Sequence, residues 1–366
     1  MAEPVAFIYH DVFDGRGFSR LAESWRRYRL GRQLLRSLAL LGPPMDGRGL
    51  AAVGAYPLIE CRPDPASDAD LLRVHTPAYL EFVRAADARG DGFLDRGDTP
   101  AWTGLFRRAT LAVGGSLLAA RLVADGCFRR AFHPAGGLHH AHRDRAAGFC
   151  PFNDIVIAVR WLQQERGFRR LAIIDLDGHH GDGTQDLLYE EPILTISLHR
   201  YDGRFYPGSG APNEVGRGNG FGFNLNVPLE RGTGDQEYVR AFERWVVPAL
   251  RWYLPELLIV VVGADSHFAD PLVRLGLTLN AYLTLARRLA ELADDLCGGR
   301  IIAVAGGGYA PEHVARCWAV VAGVLANAWQ EGDPRLSALL AADQRAARDR
   351  ELFRSGARPL VERPIR

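Results

Sequence analysis

The sequence predicts an α/β protein with a central, mostly parallel sheet flanked by helices, and three features predict it. Short runs rich in Val, Ile and Leu alternate with longer segments of helical periodicity, which is the rhythm of βαβ units around a buried sheet. The residues directly after those runs are unusually polar, as expected where parallel strands open onto a ligand site. No linker interrupts the series. The expected organisation is one domain over residues 1–330, with 331–366 as an Arg- and Ala-rich helical extension.

Taken in order, strands are expected at residues 5–9, 128–132, 171–175, 193–198, 257–262 and 300–305. Helices are expected at 153–165, 236–253, 280–296 and 312–329. Asn153 is a capping residue type at the start of the first, and Gly298 and Gly299 follow the third, which are ordinary start and stop signals. Segments 62–70, 90–100 and 201–222 are rich in Gly, Pro, Asp and Asn. They are too long for simple turns and read as functional surface loops.

Composition excludes several classes of function. With 366 residues, 48% hydrophobic and 24% charged, the chain can bury a core and is neither disordered nor collagen-like. Its net charge of +1 gives no field of one sign to attract nucleic acid or a membrane surface. The longest apolar stretches, 257–264 and 317–326, fall short of the roughly 18 residues of a membrane span. Residues 1–11 carry Glu3 and no basic leader, so they read as a first strand and not a signal peptide, and a cytoplasmic location is expected. Five cysteines without CxxC spacing argue for free thiols over a disulfide framework or a thiolate zinc site. Every basic side chain apart from histidine is arginine, a mark of codon bias in a GC-rich genome.

The chemistry collects after the strands. His133 leads into Gly136, Gly137, His139 and His140; Asp175 into Asp177, His179, His180 and Asp182; later strands end in Ser197 and His199, in Asp265, and in three glycines before Tyr309. Period-two alternation would carry Asp175, Asp177 and His179 to one side. Two carboxylates and an imidazole suit zinc or iron(II), and Asp265 could complete three ligands with a position left open for water. The tandem histidines can each hydrogen-bond a carboxylate, with Asp175 and Asp182 available, which fixes the tautomer and raises basicity. Tyr309 could donate its phenol to an oxyanion. A polar turn and packed loop histidines are the bland alternatives. The glycine run lacks both GxGxxG and GxxxxGK[ST] spacing, which removes a nucleotide loop.

These residues resemble the zinc-dependent histone deacetylase superfamily, including its bacterial acetoin-utilization and acetylpolyamine amidohydrolase branches. The resemblance rests on GGLHHA at 136–141, GFCPFND at 148–154, DLDGHHGDG at 175–183, SLH at 197–199, FYPGSG at 205–210, GAD at 263–265 with ADP at 269–271, and GGGY at 306–309. It implies an arginase-like fold and Asp177, His179 and Asp265 as zinc ligands. It makes His140 the general base, supported by His139, with Asp175 behind His139, Asp182 behind His140, and Tyr309 as the carbonyl-polarising donor. It also implies Gly148, Phe149 and Tyr206 on the acyl channel, Asp98 holding the substrate backbone, Leu272 at the channel mouth and Arg27 on the acetate exit path. A structural potassium site would involve Asp175, Asp177, His179, Ser197 and Leu198. Gly178 departs from the bulkier residue usual between the first two ligands.

The expected activity is metal-dependent removal of acetyl or another short acyl group from the ε-amino group of lysine in proteins or peptides. An acetylpolyamine or small-molecule amidohydrolase is the enzyme alternative, and an acyl-lysine-binding pseudoenzyme the non-enzyme one.

Overall fold

A computed structural model describes residues 4–19, 21, 23–42 and 55–354. The strands are β1 (Val5–Ile8), β2 (Leu58–Cys61), β3 (Arg130–His133), β4 (Leu171–Asp175), β5 (Leu194–Arg200), β6 (Asn224–Leu229), β7 (Leu257–Val261) and β8 (Ile301–Val304). The helices are α1 (Arg26–Ser37), α2 (Asp68–Leu71), α3 (Pro77–Arg89), α4 (Leu105–Ala124), α5 (Asp154–Arg166), α6 (Asp182–Leu188), α7 (Asp235–Ala241), α8 (Val247–Tyr253), α9 (Leu279–Cys297), α10 (Pro311–Leu325) and α11 (Pro334–Arg354). No helix among the described residues is long and apolar enough to cross a membrane.

All eight strands run parallel, in the order β2-β1-β3-β8-β7-β4-β5-β6. The inner strands β3, β8, β7 and β4 are buried along their whole length, which is why β8, β7 and β4 read as near-continuous apolar runs. Because the sheet is parallel, the carboxyl ends of these four neighbours share one edge, and the clusters of His139–His140, Asp175–Asp182, Asp265 and Tyr309 land there, while Ser197 and His199 lie within neighbouring β5.

The six expected strands are present, β4 with the expected bounds and the others with an end shifted by one or two residues. Two edge strands were not expected. β6 carries Asn224, Asn226 and Pro228 and pairs only with β5; proline is tolerated there because an edge strand has an unpaired side. β2 is only four residues long and contains Glu60, which binds Arg32 and Arg36 of α1. Helix α4 also escaped detection, because burial on nearly every side erases the apolar stripe that marks a surface helix. Helices α1, α2, α3 and α6 are further elements beyond those expected from the sequence.

Two helices need correction. The expected helix 236–253 is three pieces, with one wide π turn at Phe242–Val246 between α7 and α8. Pro248 sits in the first turn of α8 and has no N–H to give Arg244, so the regular ladder cannot run through it. The helix expected to reach residue 329 stops at Leu325. Asn327 takes a left-handed conformation, φ 49°, and Trp329 folds back to donate Nε1–H to the Val320 carbonyl at 3.0 Å. Of the proposed extension 331–366, residues 334–354 form α11, and those beyond 354 lie outside the described residues; so do residues 1–3 of the expected first segment.

Asn153 ties the fold to the site. Its Oδ1 caps α5 by accepting from Val156 N–H at 3.0 Å. Its amide donates to the Ala141 carbonyl and to Thr184 Oγ1, each at 3.1 Å. Replacement by alanine removes a cap and orphans buried acceptors, so Asn153→Ala should destabilise the protein by about 2–4 kcal/mol. Urea unfolding checks this; a loss below about 0.5 kcal/mol would show that water replaces the amide freely.

Candidate active site

Asp177 and His179 lie in the loop after β4, and Asp265 in the single 3-10 turn after β7. All three are buried, and one ligand atom from each falls within 4.8 Å of the others. His179 Nδ1 is 3.2 Å from Asp177 Oδ1 and 2.9 Å from Asp265 Oδ2. Backbone N–H groups aim the carboxylates: Gly307 donates to Asp177 Oδ2 at 2.6 Å, His179 to Asp177 Oδ1 at 2.9 Å and Gly178 to Asp265 Oδ1 at 2.8 Å. A Cβ on Gly307 would stand 2.4 Å from Asp265 Oδ2, so only glycine lets this strand end approach the cluster.

The electrostatics of the cluster call for a cation. Burial, then the charge of Asp177, pushes Asp265 up to about 8. Burial would depress His179, but its hydrogen bonds to Asp177 and Asp265 override that and lift it to about 10. A proton on Nδ1 thus stands between two buried carboxylates, and two carboxylates with one imidazole are a donor set for zinc or iron(II). The residues present fit such an ion.

Asp175 does not join the ligands. β4 ends at Asp175, so strand alternation does not extend to residues 177 and 179. Its carboxylate turns back to accept the N–H of Asp177 at 3.0 Å and to meet His139 Nδ1 at 2.7 Å. His140 Nδ1 meets Asp182 Oδ1, at the start of α6, at 2.6 Å. The two imidazoles lie 4.1 Å apart, centroid to centroid, yet their environments separate them. Burial disfavours charge on both; Asp175 and Asp177 nevertheless raise His139 to about 9, whereas burial and the neighbouring His139 push His140 down to about 4. His140 is therefore the neutral member. With Nδ1–H given to Asp182, its Nε2 carries the free lone pair.

Tyr309 follows β8, its N–H held by Asp270 Oδ2 at 2.9 Å. Enclosure, reinforced by Asp265 and Asp177, keeps its phenol well above the usual range and so protonated. Its ring packs edge-on against Phe149 at 5.7 Å. Phe149 sits at φ 69°, a left-handed conformation costing roughly 1–2 kcal/mol for a side chain with Cβ. A cavity connects His139, His140, Gly148, Phe149 and Tyr309 with Arg27 and Tyr28 behind them. Arg27 donates to the Gly308 carbonyl at 2.7 Å and to Tyr28 Oη at 2.9 Å, whereas Arg26 pairs with Glu23 at the surface.

Comparison with known proteins meets this geometry. The histone deacetylase domain family matches residues 32–325. The chain belongs to the histone deacetylase family. Within it, the chain is 40% identical over 259 residues to a probable deacetylase of Archaeoglobus fulgidus, covering 70% of each chain. It is 38% identical to the acetoin utilization protein AcuC of Bacillus subtilis, over 72% of this chain and 71% of that one. A histone deacetylase-like amidohydrolase of Pseudomonas aeruginosa is 39% identical over 69% and 67%. The crystal structure of the HDA15 HD domain superposes with a TM-score of 0.78 at 27% identity, covering 97% of this chain and 99% of that one. The fold is thus of the arginase/deacetylase type, and the reaction class is hydrolytic deacetylation.

The remaining expected residues occupy different places around this deacetylase site. Tyr206 stands over the imidazoles, its ring 5.1 Å from His140 and 6.1 Å from His179. Asp98 and Leu272 are half-buried and lie outside the lining of the inner cavity. Ser197 is in register with Asp175 across β4 and β5, its hydroxyl on His199 Nδ1 at 2.9 Å. The Leu198 carbonyl accepts from Tyr238 Oη at 3.4 Å. At Gly178 a Cβ would meet Val273 Cγ1 at 2.4 Å, so Val273 fills the space a larger residue would take.

Three participants escaped the sequence reading. Asp95 accepts the N–H groups of Gly97, Asp98 and Thr99, and Thr99 Oγ1 accepts the N–H of Phe149 at 3.0 Å, which joins the loop of Asp98 to the channel wall. Asp270 caps its own turn through the N–H groups of Leu272 and Val273; Asp before Pro signals such a turn. His142 touches Asp182 at 3.4 Å and Asp186 at 2.9 Å, and the i,i+4 spacing of the two aspartates on one helix face was the available clue.

One divalent ion per chain should bind here, and Asp265→Asn should weaken zinc binding at least about 100-fold, since it removes one of three charged or imidazole ligands. Elemental analysis and competition with a chromophoric chelator test both; no bound ion, or undiminished affinity, would contradict the assignment.

Proposed function

We propose that this protein is a zinc-dependent deacetylase that removes acetyl, or another short acyl group, from the ε-amino group of lysine in proteins or peptides. The observation that carries the reading is the convergence of a three-residue ligand cluster, a neutral His140 and a protonated Tyr309 on one cavity. Asp177, His179 and Asp265 would hold the ion, which when bound polarises the amide carbonyl and acidifies water.

The chain's own groups do the rest. His140 Nε2 takes a proton from the attacking water, and Asp182 stabilises the resulting imidazolium. Tyr309 Oη donates to the developing oxyanion of the tetrahedral intermediate. As the C–N bond breaks, His140 gives its proton to the leaving nitrogen, so amide plus water become a carboxylic acid and an amine, and transfer of the acid's proton to the amine leaves a carboxylate and an ammonium. His139, charged beside Asp175, adds a positive field next to the oxyanion. Phe149 and Tyr206 would flank the acyl-lysine stem, with Asp98 holding the backbone at the mouth. Arg27, at the far side of the cavity, would receive the carboxylate product. A potassium ion among Asp175, Asp177, His179, Ser197 and Leu198 would brace the same loop. Iron(II) suits the ligand set as well as zinc, and a cytoplasmic location accords with acyl-lysine substrates.

Tyr309→Phe should lower kcat by roughly 100-fold or more on an acetyl-lysine peptide while KM changes little, because the donor acts on the transition state. Near-normal turnover would refute that role.

Selectivity for acyl-lysine over acetylpolyamines is expected from Leu272. This half-buried apolar residue follows the Asp270–Pro271 turn and would desolvate the distal ammonium groups of a polyamine without compensation. A comparison of kcat/KM for an acetyl-lysine peptide and acetylputrescine should favour the peptide, and Leu272→Glu should move the ratio toward the polyamine by about tenfold or more. A native preference for acetylputrescine, or an unmoved ratio, would place selectivity elsewhere.

A further inference from the structure

Asp343 lies on α11, beyond residue 325 where the family match stops, yet it is only 1% exposed. One carboxylate oxygen pairs with His267 Nε2 at 3.0 Å, and the other accepts the N–H of Leu279, the first residue of α9, at 2.9 Å. His267 is two residues after Asp265 in the same loop. Its carbonyl accepts the N–H of Asp270 at 2.9 Å, and Asp270 in turn holds the N–H of Tyr309. His313, in the first turn of α10 after Tyr309, packs its ring at a tilt against His267, 4.9 Å between centroids, and brings its Nδ1 to 3.8 Å from the same carboxylate oxygen. Asp343 therefore stands where the loop of Asp265 meets the segment of Tyr309.

His267, His313 and Asp343 also bring ligand atoms within 4.8 Å of one another, so a second metal site is the competing reading. The tautomer of His267 speaks against it. The N–H of Ala269 donates to His267 Nδ1 at 3.2 Å, so the lone pair is there and the ring proton is on Nε2, facing Asp343. A metal on Nε2 would force a proton onto Nδ1, against an N–H already pointing at it. The arrangement is a hydrogen-bond clamp.

We propose that Asp343 is a positioning residue for the reaction, and that α11 belongs to the catalytic unit because, through His267, it sets the loop presenting Asp265 and seating Tyr309. Removing the carboxylate leaves a buried imidazole N–H and the Leu279 N–H without their protein acceptor, which frees the loop from its tie to α11. Outer partners that orient ligands typically carry 10- to 100-fold in metal affinity or activity, and small displacements of a reacting constellation carry a similar factor.

This inference rests on the deacetylase reading for its kinetic arm, and its zinc-binding arm stands independently of that reading. In full-length protein, Asp343→Ala should lower kcat at least about tenfold with KM within about twofold, and weaken zinc at least about tenfold in chelator competition. Leu336→Ala, which removes buried packing from the same helix without touching the clamp, should lower Tm yet keep kcat per folded molecule and zinc affinity. If Asp343→Ala does not fold, the same readouts are taken on His267→Phe, which lacks the donor, and on His267→Gln, which keeps one and should lose less. Native kcat and native zinc affinity in a folded clamp variant would overturn the proposal. So would two transition-metal ions per wild-type chain with one lost in His313→Ala, since the cluster would then be a metal site. A wild type that deacetylates no acyl-lysine peptide but loses zinc affinity in Asp343→Ala would sink the substrate assignment and leave the clamp standing.

Discussion

Two buried carboxylates, Asp177 and Asp265, must be held beside one imidazole, and the rest of the structure answers to that constraint. Like charges out of water repel and lose hydration, so the pair is stable only where donors and a cation compensate. The donors are backbone: Gly307, His179 and Gly178 each give an N–H to one of the two side chains. Those amides come from the ends of β8 and β4, while Asp265 comes from β7. The order β8-β7-β4 at the centre of the sheet is what makes their meeting possible, and the glycines at 306–308 let the β8 end come close enough to serve.

The same edge imposes opposite states on two adjacent histidines. His139 and His140 share a loop, a level of burial and a carboxylate partner each, yet the first faces two carboxylates and the second faces the first. His139 is thereby held toward its charged form and His140 toward its neutral one. That is the division a hydrolysis needs, one group to stabilise negative charge and one to move a proton. His142 adds a further contact on Asp182 from the outer side, so the carboxylate behind the base is anchored from two directions.

Around this centre the loops are stitched to one another. The Asp95 turn holds Thr99, Thr99 holds Phe149, and Phe149 leans on Tyr309. Asp270 holds Tyr309 from below, and Asp343 holds the loop of Asp270. Phe149, Tyr309 and the loop of Asp265 are thus one connected body, with Arg27 bonded to the Gly308 carbonyl behind it.

The sequence by itself determined the class of fold, the edge on which chemistry would collect and most of the chemical groups there. Buried parallel strands write themselves as apolar runs, and the residues just after them can be read in place. Asp177, His179, Asp265, the histidine pair and Tyr309 were legible for that reason, and the tandem spacing with Asp175 and Asp182 suggested the dyads. What only the tertiary structure decided is which groups face each other. Strand periodicity cannot follow a chain past its last ladder bond, so the alternation that would carry Asp175 to the side of Asp177 and His179 does not hold, and Asp175 meets His139 as the histidine pair suggested. An all-buried helix such as α4 and edge strands such as β2 and β6 carry no clean period. Arg27 was named by resemblance alone, and its bond to the Gly308 carbonyl is what sets it apart from the surface-paired Arg26. Asp343 lay farthest from view, because a lone aspartate in an Arg- and Ala-rich helix looks like a solvated charge until packing buries it against a histidine 76 residues earlier in the chain.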